Sequence, residues 1–208
     1  MDTLFAPGYD DRWGEINPAH QSMIARFLGM CPAAPRVLDA ACGTGKYWPL
    51  LLDAGADIIG VDQSGGMLSQ AKAKFPGVAV EKTGLQEISF AAEFDGAICI
   101  DALENVFPED WPGVLANLSR AVRPGSPVYL TVELAEDDLA EVYASALAAG
   151  QPIVSGEYLK DGGYHFYPEL SQVREWADAS GMVRAADSTG DGYYHLLLRT
   201  PTAQSRTG

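Results

Sequence analysis

The stretch Val37-Leu38-Asp39-Ala40-Ala41-Cys42-Gly43-Thr44-Gly45-Lys46 limits what this chain can fold into more than any other. A short apolar run stops at a turn of small residues and glycine, and a second apolar run, Tyr47-Trp48-Pro49-Leu50-Leu51-Leu52, follows at once. That order reads as strand, tight turn, helix. Gly43 and Gly45 permit positive φ and let a ligand come close to main-chain N–H groups that a Cβ would shield. The turn is therefore expected to cradle a ligand, the plainer alternative being a turn that only reverses the chain. A dinucleotide fingerprint needs a third glycine near the helix, and a phosphate loop ends in Gly-Lys-Ser/Thr; this turn has neither. Asp39, closing the strand, would repel a pyrophosphate and suit an ammonium group.

With its Val-Leu-Asp-x-Ala-Cys-Gly-Thr-Gly run, the stretch resembles the first motif of the class I S-adenosylmethionine-dependent methyltransferases, of the kind that act on small molecules. The resemblance extends from Tyr9 to Thr200. It implies an α/β fold: a doubly wound, mostly parallel, Rossmann-like sheet of seven strands, with helices on both faces and an antiparallel last strand beside the fifth. It also implies a single domain over residues 1–208, with a cover helix over 9–30 and a lid insertion over 134–167. S-adenosylmethionine would be the cofactor, its methionine end held by the glycine turn at Ala41, Gly43 and Gly45, its amino group assisted by Asp39. Tyr9 and Trp13 resemble the aromatic residues that fold over that end in relatives; as bare residues they read equally well as staples pinning a terminal helix.

Farther along, Ala56 to Val61 reads as a second strand ending in Asp62-Gln63-Ser64. A carboxylate there can accept hydrogen bonds from both ribose hydroxyls, and it lies about twenty residues past the glycine turn, the spacing of nucleotide-binding sheets. Asp62 is thus the expected ribose ligand, with Gln63 and Met67 beside it; otherwise it caps the helix Gly65 to Lys74, a role Ser64 fills as well. After a third strand at Val78 to Glu81, the resemblance puts Leu85 or Gln86 in the adenine pocket, unless they are ordinary loop residues. The central strand, Phe94 to Ile100, delivers Asp101 and Ala102 to the edge where open α/β sheets bind ligands. By resemblance these two lie beneath the cofactor. Glu104-Asn105 stand where many relatives carry histidine, so Glu104 either orients a substrate amine or hydroxyl or caps the helix that begins near Pro108.

Helices are expected over Ile16 to Met30, Val114 to Val122, Leu134 to Ala149 and Leu170 to Ser180, with a fifth strand at Val128 to Glu133. Arg123-Pro124-Gly125-Ser126 resembles the family's turn before that strand. Residues Gln151 to His165 are rich in glycine and short of apolar period, which suggests a substrate lid. Two closing strands, Met182 to Ala186 and Tyr193 to Leu198, pair through Gly190-Asp191-Gly192.

Composition narrows the partners. A formal charge of −14 disfavours nucleic acid and anionic membranes, both of which need Lys and Arg, and favours a small substrate that is neutral or cationic. No run is long enough to span a bilayer, and the N-terminal residues lack a leader pattern, which points to the cytoplasm. The three cysteines lack metal spacing, and displacement at a sulfonium needs no metal, so none is expected. A hydroxyl, thiol or carbon acceptor does need a base. His165 is the candidate, flanked by aromatic residues at the hinge of the lid, with Glu104 and Tyr167 as further catalytic candidates. The expected activity is methyl transfer to a small metabolite, at O or N before C, by a monomer or homodimer. Other uses of the same fold are non-methyl chemistry steered by the cofactor, such as cyclisation, and a regulatory subunit that binds it without turnover.

Overall fold

A computed structural model describes residues 8–135, 139–151, 153–160 and 163–202. The chain opens with two helices, α1 (Tyr9–Trp13) and α2 (Pro18–Leu28). Strands and helices then alternate: β1 (Arg36–Ala40), α3 (Trp48–Asp53), β2 (Asp57–Asp62), α4 (Gly65–Lys74), β3 (Ala79–Lys82), β4 (Gly96–Cys99), α5 (Trp111–Ala121) and β5 (Pro127–Val132). Next come α6 (Leu139–Ala148), the strands β6 (Glu157–Lys160) and β7 (Gly163–Phe166), α7 (Leu170–Ala179), and finally β8 (Val183–Gly190) and β9 (Tyr193–Arg199). Seven strands form one sheet in the order β3-β2-β1-β4-β5-β9-β8. The first five run parallel, and β9 enters antiparallel between β5 and β8.

The central strands β4 and β5 read as apolar runs because both faces of the sheet are covered there, whereas the edge strands β3 and β8 carry polar residues and are largely exposed. All six residues of β5 and all four of β4 are buried. On one face Leu38, Ala97, Cys99, Val128 and Leu130 meet Trp111, Val114 and Leu118 of α5 and Val173 of α7. On the other, Val37, Ile58, Ile98 and Tyr129 meet Met23, Ile24 and Phe27 of α2, Trp48 and Leu51 of α3, and Leu68 of α4. Alternation along β1 therefore directs Asp39 toward the second layer, the layer of Trp48.

That layer is tightest at Trp48. Its indole lies flat enough against β2 that a Cβ on Gly60 would come within 2.5 Å of the ring and 2.9 Å of Cys42 Sγ. The closing hairpin turns at Asp191 and Gly192, both with positive φ (+53° and +85°), which the Asp-Gly pair supplies for a right-twisted two-residue connection.

The stretch expected as an irregular lid is regular. Residues 157–160 and 163–166 pair as an antiparallel hairpin, Tyr158 opposite His165, and Tyr167 N–H is bonded to Gly156 O at 2.9 Å. Phe166 anchors it, fully buried against Trp111 and Trp176. Gly163 pairs with Lys160 at one end of this hairpin, and Gly156 accepts from Tyr167 at the other; residues 161 and 162 lie outside the described residues. Part of the expected helix Leu134 to Ala149 also lies outside them, and the described helix is Leu139–Ala148.

Gly60→Ala tests the wedge. The added methyl meets a ring with no room to move, and overpacking of this kind costs about 1 to 3 kcal/mol. Urea unfolding should show a loss of that size, and a variant as stable as the parent would show that the indole is loosely held.

Candidate active site

The carboxyl ends of β1, β2, β4 and β5 meet along one edge, where an open parallel sheet presents its ligands. At the end of β1 the backbone passes through positive φ at Ala41 (+63°), Gly43 (+53°) and Gly45 (+78°). Gly43 donates its N–H to Asp62 Oδ2 at 2.8 Å, and Ser64 donates its own to Asp62 Oδ1 at 2.8 Å. Asp62 thus ties the glycine turn to the end of β2. The cap of α4 is Ser64, whose Oγ accepts from Met67 N–H at 3.0 Å, so the reading of Asp62 as a helix cap is set aside.

The two glycines of the turn do different jobs. At Gly43 a Cβ would meet nothing within 4 Å, so the space above this residue is open. Gly45 is buried, and a Cβ there would strike the Trp48 ring at 2.6 Å. It makes room for the indole. Asp39 belongs to the same layer. It is 2% exposed and its Oδ2 accepts Trp48 Nε1–H at 2.8 Å. Burial above all, with the Asp62 charge added and the indole bond opposing, pushes its carboxyl up to about 7.

Helix α1 is pinned across the turn by Asp10, which accepts from Thr44 Oγ1 at 2.5 Å and from Lys74 Nζ at 2.6 Å. This brings Tyr9 in among carboxylates: burial first, then the charges of Asp101 and Glu104, push its phenol up to about 12. Trp13 does not share this position. It is 62% exposed, at the end of a helix of five residues.

Beyond β4, Asp101 adopts φ +53° with its N–H bonded to Thr131 Oγ1 at 2.8 Å. Its carboxylate accepts from Tyr47 OH at 2.6 Å, His20 Nε2 at 3.1 Å and Lys46 Nζ at 3.4 Å. Burial acts to raise its pKa, but the bonds from His20 and Tyr47 and the charges of His20 and Lys46 prevail and lower it. Thr131 Oγ1 donates to the carboxylate as well at 3.5 Å, so Asp101, named as a residue beneath the cofactor, is held by four donors of the protein. His20, at 1% exposure, stacks on Tyr47 and meets Tyr193 and His195 edge-on. His195 in turn bonds Tyr129 OH at 2.8 Å.

Glu104 is the middle residue of a one-turn 3-10 segment, Leu103–Asn105, and the turns that follow are capped at Phe107 and Asp110 without a side-chain bond, which removes the capping alternative. Its Oε1 accepts from Asn105 Nδ2 at 2.9 Å, while Oε2 is sealed from solvent without a partner. Burial first, then the charges of Glu133 and Asp101, push it up to about 8. Tyr167 and Tyr193 both hydrogen-bond Glu133, and both feel the Glu104 charge. His165 lies stacked on Tyr167, ring centroids 5.9 Å apart. The structure therefore gathers Glu104, Tyr167 and His165 at one end of the site. Around the presumptive adenine pocket it shows Leu85 and Ala102 buried in the core, Met67 half-buried, Gln63 exposed, and Gln86 bonded to Asp110 Oδ2 at 3.2 Å.

Residues 37–125 match the family model of a methyltransferase domain. A ubiquinone biosynthesis O-methyltransferase of Methylococcus capsulatus is 27% identical over 198 residues, spanning 87% of this chain and 78% of that protein. Others of the same description align over about half of their own length, 51% in two cases. Among solved structures, a S-adenosylmethionine-dependent methyltransferase of Methanosarcina mazei superposes with a TM-score of 0.74 at 16% identity, covering 90% of this chain and 99% of that one. The 1,6-didemethyltoxoflavin-N1-methyltransferase of Burkholderia thailandensis, solved with its substrate and S-adenosylhomocysteine, gives 0.69 at 17% identity, covering 95% of this chain and 85% of that one. Residues 37–125 thus carry a methyltransferase domain, and the fold is that of S-adenosylmethionine-dependent methyltransferases. The open space over Gly43, beside the Asp62 carboxylate, fits the cofactor of that family, because a bulky nucleoside needs a turn that no Cβ fills.

Sequence reasoning missed His20, Lys46, Tyr47, Glu133 and Tyr193 in this methyltransferase. Lys46-Tyr47 follow the glycine turn directly and could have been read from that adjacency; the others come from distant elements with no common spacing.

A pH titration of stability tests the Asp39 site. A carboxyl raised on folding contributes stability that is whole below its unfolded value near 4 and is lost as pH rises through its folded value of about 7. Stability of the parent relative to Asp39→Asn should therefore fall by on the order of 4 kcal/mol between those limits. Parallel stability curves would show that Asp39 is not a buried acid.

Proposed function

We propose that this methyltransferase moves the methyl group of S-adenosylmethionine to a nitrogen or oxygen of a small metabolite, with the cofactor over Gly43 and the acceptor at Glu104. The observation that carries this reading is the pairing, along one sheet edge, of an open glycine turn tied to Asp62 with a buried carboxyl, that of Glu104, whose Oε2 lacks a partner. The name of the M. capsulatus relative supports an oxygen acceptor, and that of the B. thailandensis enzyme a nitrogen.

The bound cofactor supplies a methyl carbon already activated on a sulfonium, so the protein has to align, exclude water and handle one proton. Asp62 holds the ribose hydroxyls while its bonds to Gly43 and Ser64 keep the turn in shape. Helix α1 closes over the turn through Asp10, and Tyr9 shields the reacting end. Ala41, Met67 and Leu85 supply the apolar lining, with Gln63, Gln86 and Ala102 at its margins. Glu104 takes the acceptor's proton: a carboxyl raised to about 8 is a far stronger base than an ordinary one. Tyr167 and His165 wall the acceptor side, and the β6–β7 hairpin that carries His165 serves as the lid.

Asp62→Ala should weaken S-adenosylhomocysteine binding by on the order of 2 to 3 kcal/mol, the worth of charge-assisted bonds to a ligand, and Asp62→Asn by less. Calorimetry on both variants checks this. Binding equal to the parent's in Asp62→Ala would remove the ribose from Asp62, and tight binding of NAD in place of S-adenosylhomocysteine would overturn the reading.

A further inference from the structure

The acceptor end of the site is built for charge of one sign. Glu104 Oε2 is shut away from water without a hydrogen-bond partner, and among the described residues no Lys, Arg or His forms an ion pair with Glu104. Lys46 is engaged with Asp101 at 3.4 Å. A buried acceptor without a donor costs about 1 to 3 kcal/mol, more when it bears charge, and a folded protein keeps such a group where a ligand completes it. Glu133 adds a second carboxylate within electrostatic reach, steadied by the phenols of Tyr167 and Tyr193.

The walls have the matching character. Tyr9, Tyr167 and Tyr193 all lie near enough to feel the Glu104 charge. Phenol rings beside carboxylates attract a cation through their faces, by about 0.5 to 2 kcal/mol each, and give an anion nothing comparable. Beyond Tyr193 a cavity of about 220 Å³ opens at the ends of β5 and β8, lined by Leu134, Ala135, Thr189, Gly190 and Tyr194. Tyr193 itself lines it, so a small carbon skeleton has room on that side of the ring. The net charge of −14 adds long-range attraction for a cation.

We infer that the acceptor is a small amine, captured as its ammonium ion by Glu104 and Glu133 and enclosed by Tyr9, Tyr167 and Tyr193. This rests on the methyl-transfer reading above and narrows its acceptor to nitrogen. The ammonium supplies the hydrogen bonds that Glu104 Oε2 lacks, and one of its N–H protons passes to that oxygen, leaving a neutral carboxylic acid and a free amine lone pair. Burial and the neighbouring acids, which push Glu104 up to about 8, favour that transfer. An alcohol could donate one hydrogen bond to Glu104 but would bring no positive charge to it.

The test uses phenethylamine and 2-phenylethanol, which differ in the group that would meet Glu104. S-adenosylhomocysteine is titrated first, and its binding reports on the cofactor reading separately. Into the saturated protein at pH 7.5, the amine should then bind at least tenfold more tightly than the alcohol. Glu104→Gln should abolish that preference while S-adenosylhomocysteine affinity stays within about twofold. Tyr193→Phe, which keeps the ring and removes a hydrogen bond to Glu133, should weaken the amine several-fold. Equal or tighter binding of the alcohol, binding of neither probe, or an amine preference that survives Glu104→Gln would each overturn the inference.

Discussion

The hydrogen bond from the Trp48 indole to Asp39, made in a layer too thin for any extra atom, is the constraint on which the rest of the site depends. The ring lies between the glycine turn and β2, and both Gly45 and Gly60 lack a Cβ where the indole passes. This fixes the height of the turn above the sheet. Asp62 then fixes its direction by taking the N–H of Gly43 on one oxygen and that of Ser64 on the other. With packing below and hydrogen bonds beside it, the turn stays open above Gly43 without a ligand, the kind of preorganisation a binding site needs if it is not to spend binding energy on ordering itself.

The acidic residues along the edge are alike in charge and unlike in surroundings. Asp39 is sealed in packing, Asp62 is bound to backbone N–H groups, Asp101 is matched by Tyr47, His20 and Lys46, and Glu104 is left incomplete. Environment has pushed their proton affinities apart, downward at Asp101 and upward at Asp39 and Glu104. Of the two raised acids, Asp39 has the Trp48 indole as a partner, and Glu104 Oε2 has none. That contrast is why Glu104, and not Asp39, is proposed to take the proton.

Local chemistry was legible in the sequence. The Val37 to Lys46 run declared strand, turn and helix, Asp62 declared the end of the second strand, and Asp191-Gly192 declared the closing hairpin, each because a short-range backbone rule applies. What depends on tertiary approach was not. Gly45 reads as a ligand glycine, and only the path of Trp48 shows that it makes room for the indole. Trp13 reads as a cover, and it lies exposed at the end of a helix of five residues. His20, Glu133 and Tyr193 come from a helix, the end of β5 and the start of β9, and no spacing in the chain announces that they meet. The β6–β7 hairpin was obscured because its glycines read as looseness, although the aromatic residues at Tyr164 and Phe166 already had a strand's alternation.

The central claim is that the cofactor lies over Gly43 and is read by Asp62, with its reactive end toward Glu104. A crystal structure of the protein with S-adenosylhomocysteine tests it most directly. The account predicts both ribose hydroxyls within hydrogen-bond distance of Asp62 and the sulfur on the Glu104 side of the turn. Ligand bound elsewhere, for instance in the groove along α6 between Glu141 and Gln151, or a ribose that does not touch Asp62, would contradict it.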